Sequence, residues 1–239
     1  MARKTKPTSD RPTLVDVARE AGVSAITVSR TIRSPEIVSE RARQKVEEAI
    51  RRLGYTPDPA ASALASRSTS TIGLLVPSLT NNVFSDVLRG VYEGVAGTRY
   101  FVQIGNYRYS ALEEEGLIRN FLSQRPAGLI VSSMDQTPAG RKLLETAACP
   151  VVQIMETSDD AVDMSVGFDQ LAGVRVAAQH LLDCGFRRPG FLSARMDPRA
   201  QRRLGAFRDF AADAGVLDEN RIITTPQPSS VGMGGHLLE

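Results

Sequence analysis

The sequence predicts a two-part fold: a small all-α head followed by a larger α/β body built on parallel sheet. Three observations carry this. Between residues 13 and 54, apolar side chains recur at helical spacing, punctuated by capping residues and glycines. The stretch YTPDPAASALASRSTS at 55–70 then breaks the pattern with two prolines and a run of small residues. Beyond Thr71, short apolar runs alternate with helix-length segments, as strands and crossover helices do in βαβ units.

In the head, Leu14, Val17, Ala18 and Ala21 share one helical face behind Thr13, which can cap with Asp16 three residues on. Gly22 ends that helix. Ser24 caps a second helix with Val28 and Ile32 inward, closing near Arg33-Ser34-Pro35. Ser39 opens a third, whose apolar stripe is Ala42, Val46, Ala49, Ile50 and Leu53, and Gly54 stops it. The organisation expected is a flexible basic arm at 1–12, a three-helix head at 13–57, a linker at 58–70, a first lobe at 71–168 and a partial second lobe at 169–239. Within the linker, 60–65 can coil into a short helix when supported.

For the body, strands are expected at 72–76, 101–104, 129–132, 151–154, 164–168, 190–192 and 221–224. Helices are expected at 84–96, 112–123, 139–147, 170–184 and 198–214. Ligands of such sheets sit beyond the carboxyl ends of the strands, which directs attention to the loops after Val76, Ile104, Ser132 and Leu192.

Composition narrows the function classes. With 239 residues, 42% hydrophobic and 23% charged, the chain is ordinary for a folded protein of one or two domains. No apolar run is long enough to span a membrane, and the basic start leads into Pro7 rather than a signal sequence. Cys149 and Cys184 cannot build a disulfide framework or a four-ligand zinc site, and both read as small core residues of a cytoplasmic protein. There is no G-x-S-x-G, Walker loop or H-E-x-x-H, so no catalysis, cofactor or metal is expected. Gly232-x-Gly234-Gly235 reads as a loop. The net charge of +2 hides an asymmetry: residues 1–70 hold 13 Lys and Arg against 8 Asp and Glu, leaving 16 against 19 of the totals of 29 and 27. A basic head on a mildly acidic body points the head toward a polyanion.

Helix, glycine turn and Ser-capped helix is the arrangement of a helix-turn-helix, whose second helix enters the DNA major groove with its N-terminal residues leading. Its expected exposed residues are Ala25, Ile26, Thr27, Ser29 and Arg30. Arg30 can contact guanine O6 and N7, Thr27 and Ser29 phosphate or base, and Ala25 and Ile26 thymine methyls. Three small amphipathic helices could equally form a protein-binding module with a solvated basic face.

The runs TLVDVAREAGVSAITVSRTI and SERARQKVEEAIRRLGYTPD resemble the lactose/galactose repressor family of bacterial transcription regulators. The resemblance implies that Ala25 and Ile26 set operator preference and that Thr27, Ser29 and Arg30 touch DNA, with Thr13 and Ser24 completing the candidate set. It implies a hinge helix in the minor groove, with Leu64 of ASALAS wedging a base step; the alternative is that Leu64 packs on its own domain. Asp58-Pro59 departs from the family's Asn-Arg and sets an acid near the expected phosphates.

The likeness continues through IGLLVPSLTNNVFSDVLRGV, PAGLIVSS and VGFDQLAGVRVAAQHLLDCGFRRPGFL, nearest to the family's gluconate-operon branch. It implies a periplasmic-binding-protein-like body of two α/β lobes clamping a small-molecule effector. Pro77, Ser78, Leu79, Phe84, Ser132, Phe168, Asp169 and Arg203 then fall at the pocket. An arginine suits the carboxylate of a sugar acid such as gluconate. The alternatives are core packing for Phe84 and Phe168 and a solvated helix face for Arg203.

The function implied is a homodimeric regulator of a sugar or sugar-acid operon, a repressor, on a palindromic double-stranded operator. A carbohydrate-binding protein without a DNA role and an α/β enzyme are the alternatives, and a salt titration on duplex DNA separates them. The chain stops where the family begins another helix, so the second lobe is expected to be incomplete, and a truncated regulator without function is a further alternative.

Overall fold

The computed structural model describes residues 12–56 and 69–237. The chain divides into two compact units, Met1–Arg67 and Ser68–Glu239. Leu64 and most of the expected linker lie outside the described residues.

The head contains α1 (Leu14–Ala21), α2 (Ala25–Arg33) and α3 (Glu40–Leu53), with a 3₁₀ turn at Pro35–Ile37. A reciprocal capping box starts α1: the Asp16 N–H donates to Thr13 Oγ1 at 3.3 Å, and the Thr13 N–H donates to Asp16 Oδ2 at 2.9 Å. Gly22 closes the helix at φ 64°, where a residue bearing Cβ would be strained. This geometry turns the chain sharply into α2. Val17, Ala18, Ala21, Val28, Val46 and Ala49 form the core, ringed by Leu14, Val23, Ala25, Ile32, Ile50, Leu53 and Tyr55. Ser39 precedes α3 as expected, but its hydroxyl makes no capping bond.

The body alternates strands and helices: β1 (Thr71–Val76), α4 (Asn82–Val95), β2 (Phe101–Asn106), α5 (Ala111–Ser123), β3 (Gly128–Val131), α6 (Pro138–Glu145), β4 (Val151–Glu156) and β5 (Met164–Phe168). These strands make one parallel sheet in the order β2-β1-β3-β4-β5. Successive residues of a strand face opposite sides, and here both sides are covered. Leu74 and Val76 pack with Phe84 of α4, whereas Leu75 joins Ile118 and Phe121 of α5.

The chain then continues through α7 (Gln170–Asp183), β6 (Phe191–Ala194), α8 (Pro198–Asp213), β7 (Ile222–Thr225) and α9 (Val231–His236). Strands β6 and β7 form a second parallel sheet, packed through Phe191 and Ile222 against Ala178, Phe207 and Ala211.

The structure corrects some local expectations. The glycine-rich segment expected as a loop is the short helix α9, begun by Ser230, whose hydroxyl accepts from the Met233 N–H at 3.1 Å. The last strand starts at Ile222 because Asp218 caps a 3₁₀ turn at Glu219–Arg221. Cys184 is exposed at the end of α7 rather than buried, and Cys149 is half-buried beside the first core. At the end of the expected linker, the Thr69 N–H donates to the Arg125 carbonyl at 2.9 Å, and Ser70 O accepts from the Phe101 N–H at 2.9 Å. No helix among the described residues is long and apolar enough to cross a membrane.

Candidate functional site

On the head, the outward face of α2 is the first candidate surface. Ser24 fixes its start, its hydroxyl accepting from the Thr27 N–H at 3.1 Å and bonding Thr27 Oγ1 at 2.9 Å. Val28 is fully buried, and the Thr31 hydroxyl donates to Thr27 O at 2.9 Å, which anchors the opposite side. Ile26, 65% exposed, and Arg30 therefore project outward, and with Ser29 and Ser34 they line a shallow concavity. Ala25, Thr27 and Ser29 are only half-buried rather than exposed, because the first turn of α2 leans on the core, where Ala25 packs. The Thr13 and Ser24 hydroxyls are both engaged in caps.

The second candidate is in the body, where the loop after β3 and the carboxyl end of β4 meet the start of α8. Two of the arginines on α8, Arg199 and Arg202, reach across from the smaller sheet to the larger. Arg199 donates through Nη2 to Ser132 O at 3.1 Å and through Nε to Glu156 Oε2 at 3.4 Å. Arg202 grips Asp135 through two bonds of 2.7 and 3.2 Å and also donates to Glu156 at 2.9 Å. The Asp135 carboxylate holds the Arg202 guanidinium firmly in its charged form. Arg203 is the exception: its Nε is buried without a hydrogen-bond partner, and burial, reinforced by neighbouring Arg199, disfavours its charge.

A polar network lies beneath these contacts. Gln136 Nε2 donates to Ser133 O at 2.6 Å and reaches Glu114 Oε1 at 3.5 Å, while Gln153 Nε2 donates to Ser133 O at 3.1 Å. Tyr107 and Ser132 bond hydroxyl to hydroxyl at 3.3 Å. Burial pushes the Glu114 carboxyl up to about 7, with Asp135 adding to the rise, and burial raises the Tyr107 phenol well above its ordinary range.

The sequence-based candidates fare differently. Pro77 is buried at the end of β1, and the Ser78 hydroxyl accepts from the Thr80 and Asn81 N–H groups, shaping the loop into α4. Ser132 is buried directly after β3. Leu79 is exposed. Phe84 faces the core at 3% exposure rather than lining a pocket, because α4 turns it onto Leu74 and Val76. Phe168 is 57% exposed at the end of the edge strand β5. Asp169 caps α7, its Oδ1 accepting from Leu171 and Ala172 N–H groups. Arg203 lies on α8 one turn from Arg199, with its Nε buried and without a hydrogen-bond partner. The sequence reading does not single out Arg195, Arg199, Arg202, Asp135 or Glu156; the signal for Arg199 and Arg202 is the basic run that contains Arg203, of which only Arg203 is a candidate there. Among the described residues, no group of three or more His, Cys, Asp or Glu is placed to hold a metal ion.

Comparison with known proteins agrees with this two-part reading. Residues 13–58 match the family described as bacterial regulatory proteins, lacI family, and residues 69–230 match the periplasmic binding proteins and sugar binding domain of the LacI family. The chain is 42% identical to the HTH-type transcriptional regulator GntR of Pseudomonas aeruginosa, over 98% of this chain and 68% of that one. A LacI-family transcriptional regulator from Silicibacter pomeroyi superposes with a TM-score of 0.83 at 35% identity, covering 95% of this chain and 68% of that chain. The lac repressor dimer bound to operator and an anti-inducer aligns with a TM-score of 0.74 at 25% identity, over 94% of this chain and 67% of that chain. The chain belongs to the LacI family of bacterial regulatory proteins and is a DNA-binding transcription regulator that carries the family's sugar-binding domain.

Proposed function

We propose that the chain is a cytoplasmic repressor that binds a palindromic operator as a homodimer and releases it when a sugar acid of the gluconate class enters the cleft of the body. On the DNA side the reading assigns base contacts to Ala25, Ile26 and Arg30 and backbone contacts to Thr27 and Ser29, with Thr13 and Ser24 holding the helices that present them. The exposure of Ile26 and Arg30 on a firmly capped α2 supports this.

On the effector side the carrying observation is Arg203, one helical turn from the Arg199 that reaches Ser132 and Glu156, whose own Nε is buried without a hydrogen-bond partner. A desolvated cation favours an anionic ligand, and a carboxylate meets a guanidinium with two parallel bonds. Arg199 and Arg202 already have Glu156 and Asp135, so Arg203 is the arginine left to read the ligand. The reading adds Ser132, whose carbonyl accepts from Arg199, and Ser78 and Asp169 from the loops after β1 and β5 as further effector contacts. The reading gives the chain no catalytic step.

The test is a paired titration. Operator duplex binding should fall steeply with salt, and sodium gluconate should weaken it, whereas Arg203→Ala should keep operator binding and lose the gluconate response. Operator binding that no sugar acid alters would sink the effector assignment. Absence of salt-dependent duplex binding would sink the regulator reading as a whole.

A further inference from the structure

Arg195 stands apart from the three arginines of α8. It follows β6 directly, and its backbone is left-handed at φ 70°, with Met196 left-handed too at φ 48°. Two consecutive non-glycine residues in that region are strained and persist only where surrounding structure holds them. Here the holding contacts are visible. The Arg195 N–H donates to Gln227 O at 2.8 Å, and Gln201 Nε2 donates to Met196 O at 2.8 Å.

The guanidinium carbon of Arg195 lies 3.8 Å from the ring centroid of Tyr109. That tyrosine is itself left-handed at φ 61°, next to Arg108 at φ 50°. Its hydroxyl accepts from Asn81 Nδ2 at 3.4 Å, and Asn81 caps α4. The loops after β1, β2 and β6 therefore converge on one stacked pair at the carboxyl ends of these strands. Stacking engages the face of a guanidinium and leaves its in-plane N–H edge available. The Arg195 Nε is buried and has no hydrogen-bond partner.

We propose that Arg195, oriented by Tyr109, is a second anion-reading arginine of the effector cleft and sets its preference for sugar acids over neutral sugars. This rests on the proposed effector site and goes beyond it by assigning selectivity to a strained, pre-oriented stack rather than to α8 alone.

Calorimetry on the full chain with gluconate and with gluconamide, the same polyol with a neutral amide, tests it. Arg195→Gln should weaken gluconate at least roughly tenfold and gluconamide by less than about twofold, shrinking the selectivity ratio. Arg195→Lys keeps the charge and the stem without the planar fork and should also weaken gluconate selectively. Tyr109→Leu should give a smaller loss in the same direction, with operator binding unchanged in all three. An unchanged ratio in a folded Arg195→Gln overturns the proposal, as does an unchanged ratio in Arg195→Lys should the glutamine variant fail to fold. If gluconate binding survives Arg195→Gln but not Arg203→Ala, only this inference falls. If the unaltered chain binds no sugar acid, the effector reading falls with it.

Discussion

Arg202 on α8 donates to both carboxylate oxygens of Asp135, at 2.7 and 3.2 Å, across a sequence separation of 67 residues. The pair ties the two-stranded sheet's helix to the loop after β3, and Glu156 at the end of β4 accepts from the same Nη2 that donates to Asp135. The smaller lobe is thus latched to the larger by charge rather than by apolar packing alone. About a third of each side chain stays in water, so solvent screens the pair. Asp135→Asn should lower the unfolding free energy of the body by about 1 kcal/mol at low salt. In molar salt the difference should shrink toward zero, as urea unfolding at the two ionic strengths would read. A deficit that persists undiminished in high salt would point to packing instead of charge.

Phe84 and Phe168 make the same aromatic residue type do opposite things. Phe84 closes the core between α4 and β1, so Phe84→Ala should cost about 3–5 kcal/mol in body stability. Phe168→Ala, at an exposed strand end, should stay within about 0.5 kcal/mol. Denaturant melts of both variants check this, and comparable losses would refute the placement.

That contrast shows what the sequence carries. Caps and turn glycines such as Thr13, Ser24, Gly22 and Gly54 were legible because their partners lie within four residues. Strand and helix alternation was legible for the same local reason. The pocket was not. Which phenylalanine is core depends on how α4 rolls onto β1, and which arginine is neutralised depends on carboxylates 43 to 67 residues away. The Arg202-Arg203 pair looks uniform in sequence. The structure gives Arg202 two carboxylates and leaves Arg203 Nε without a partner.

In the head, Ser24 separates folding from DNA contact. Ser24→Ala removes the cap of α2 and should cost about 1 kcal/mol, read as faster amide exchange at the buried Val28. Ser24→Asp keeps an acceptor at the helix start and should retain that protection while weakening duplex binding, because it sets a negative charge beside the proposed phosphate-facing surface. Retention of full duplex affinity by Ser24→Asp would place the DNA elsewhere.

Glu114 gives the sharpest pH signature. It is 1% exposed on α5, with the Gln136 amide at 3.5 Å as its hydrogen-bond partner, and Tyr107 and Asp135 as neighbouring titratable groups. Burial raises its carboxyl from an ordinary 4.5 to about 7. Below pH 4.5 the group is protonated in both folded and unfolded chains and does not affect stability. Between about 4.5 and 7 the unfolded chain has lost the proton that the folded chain still holds, so stability falls as pH rises through that window. Above about 7 the full penalty is present, at most on the order of 3 kcal/mol. Glu114→Gln preserves the shape and an oxygen to accept from Gln136 but carries no charge to desolvate. Relative to the unaltered chain it should be near-neutral at pH 4.5 and increasingly stabilising up to pH 8. Denaturant unfolding of the two proteins at half-unit pH steps measures the difference directly. A difference that is flat across the window would show that Glu114 is already ionised, and solvated, in the folded protein.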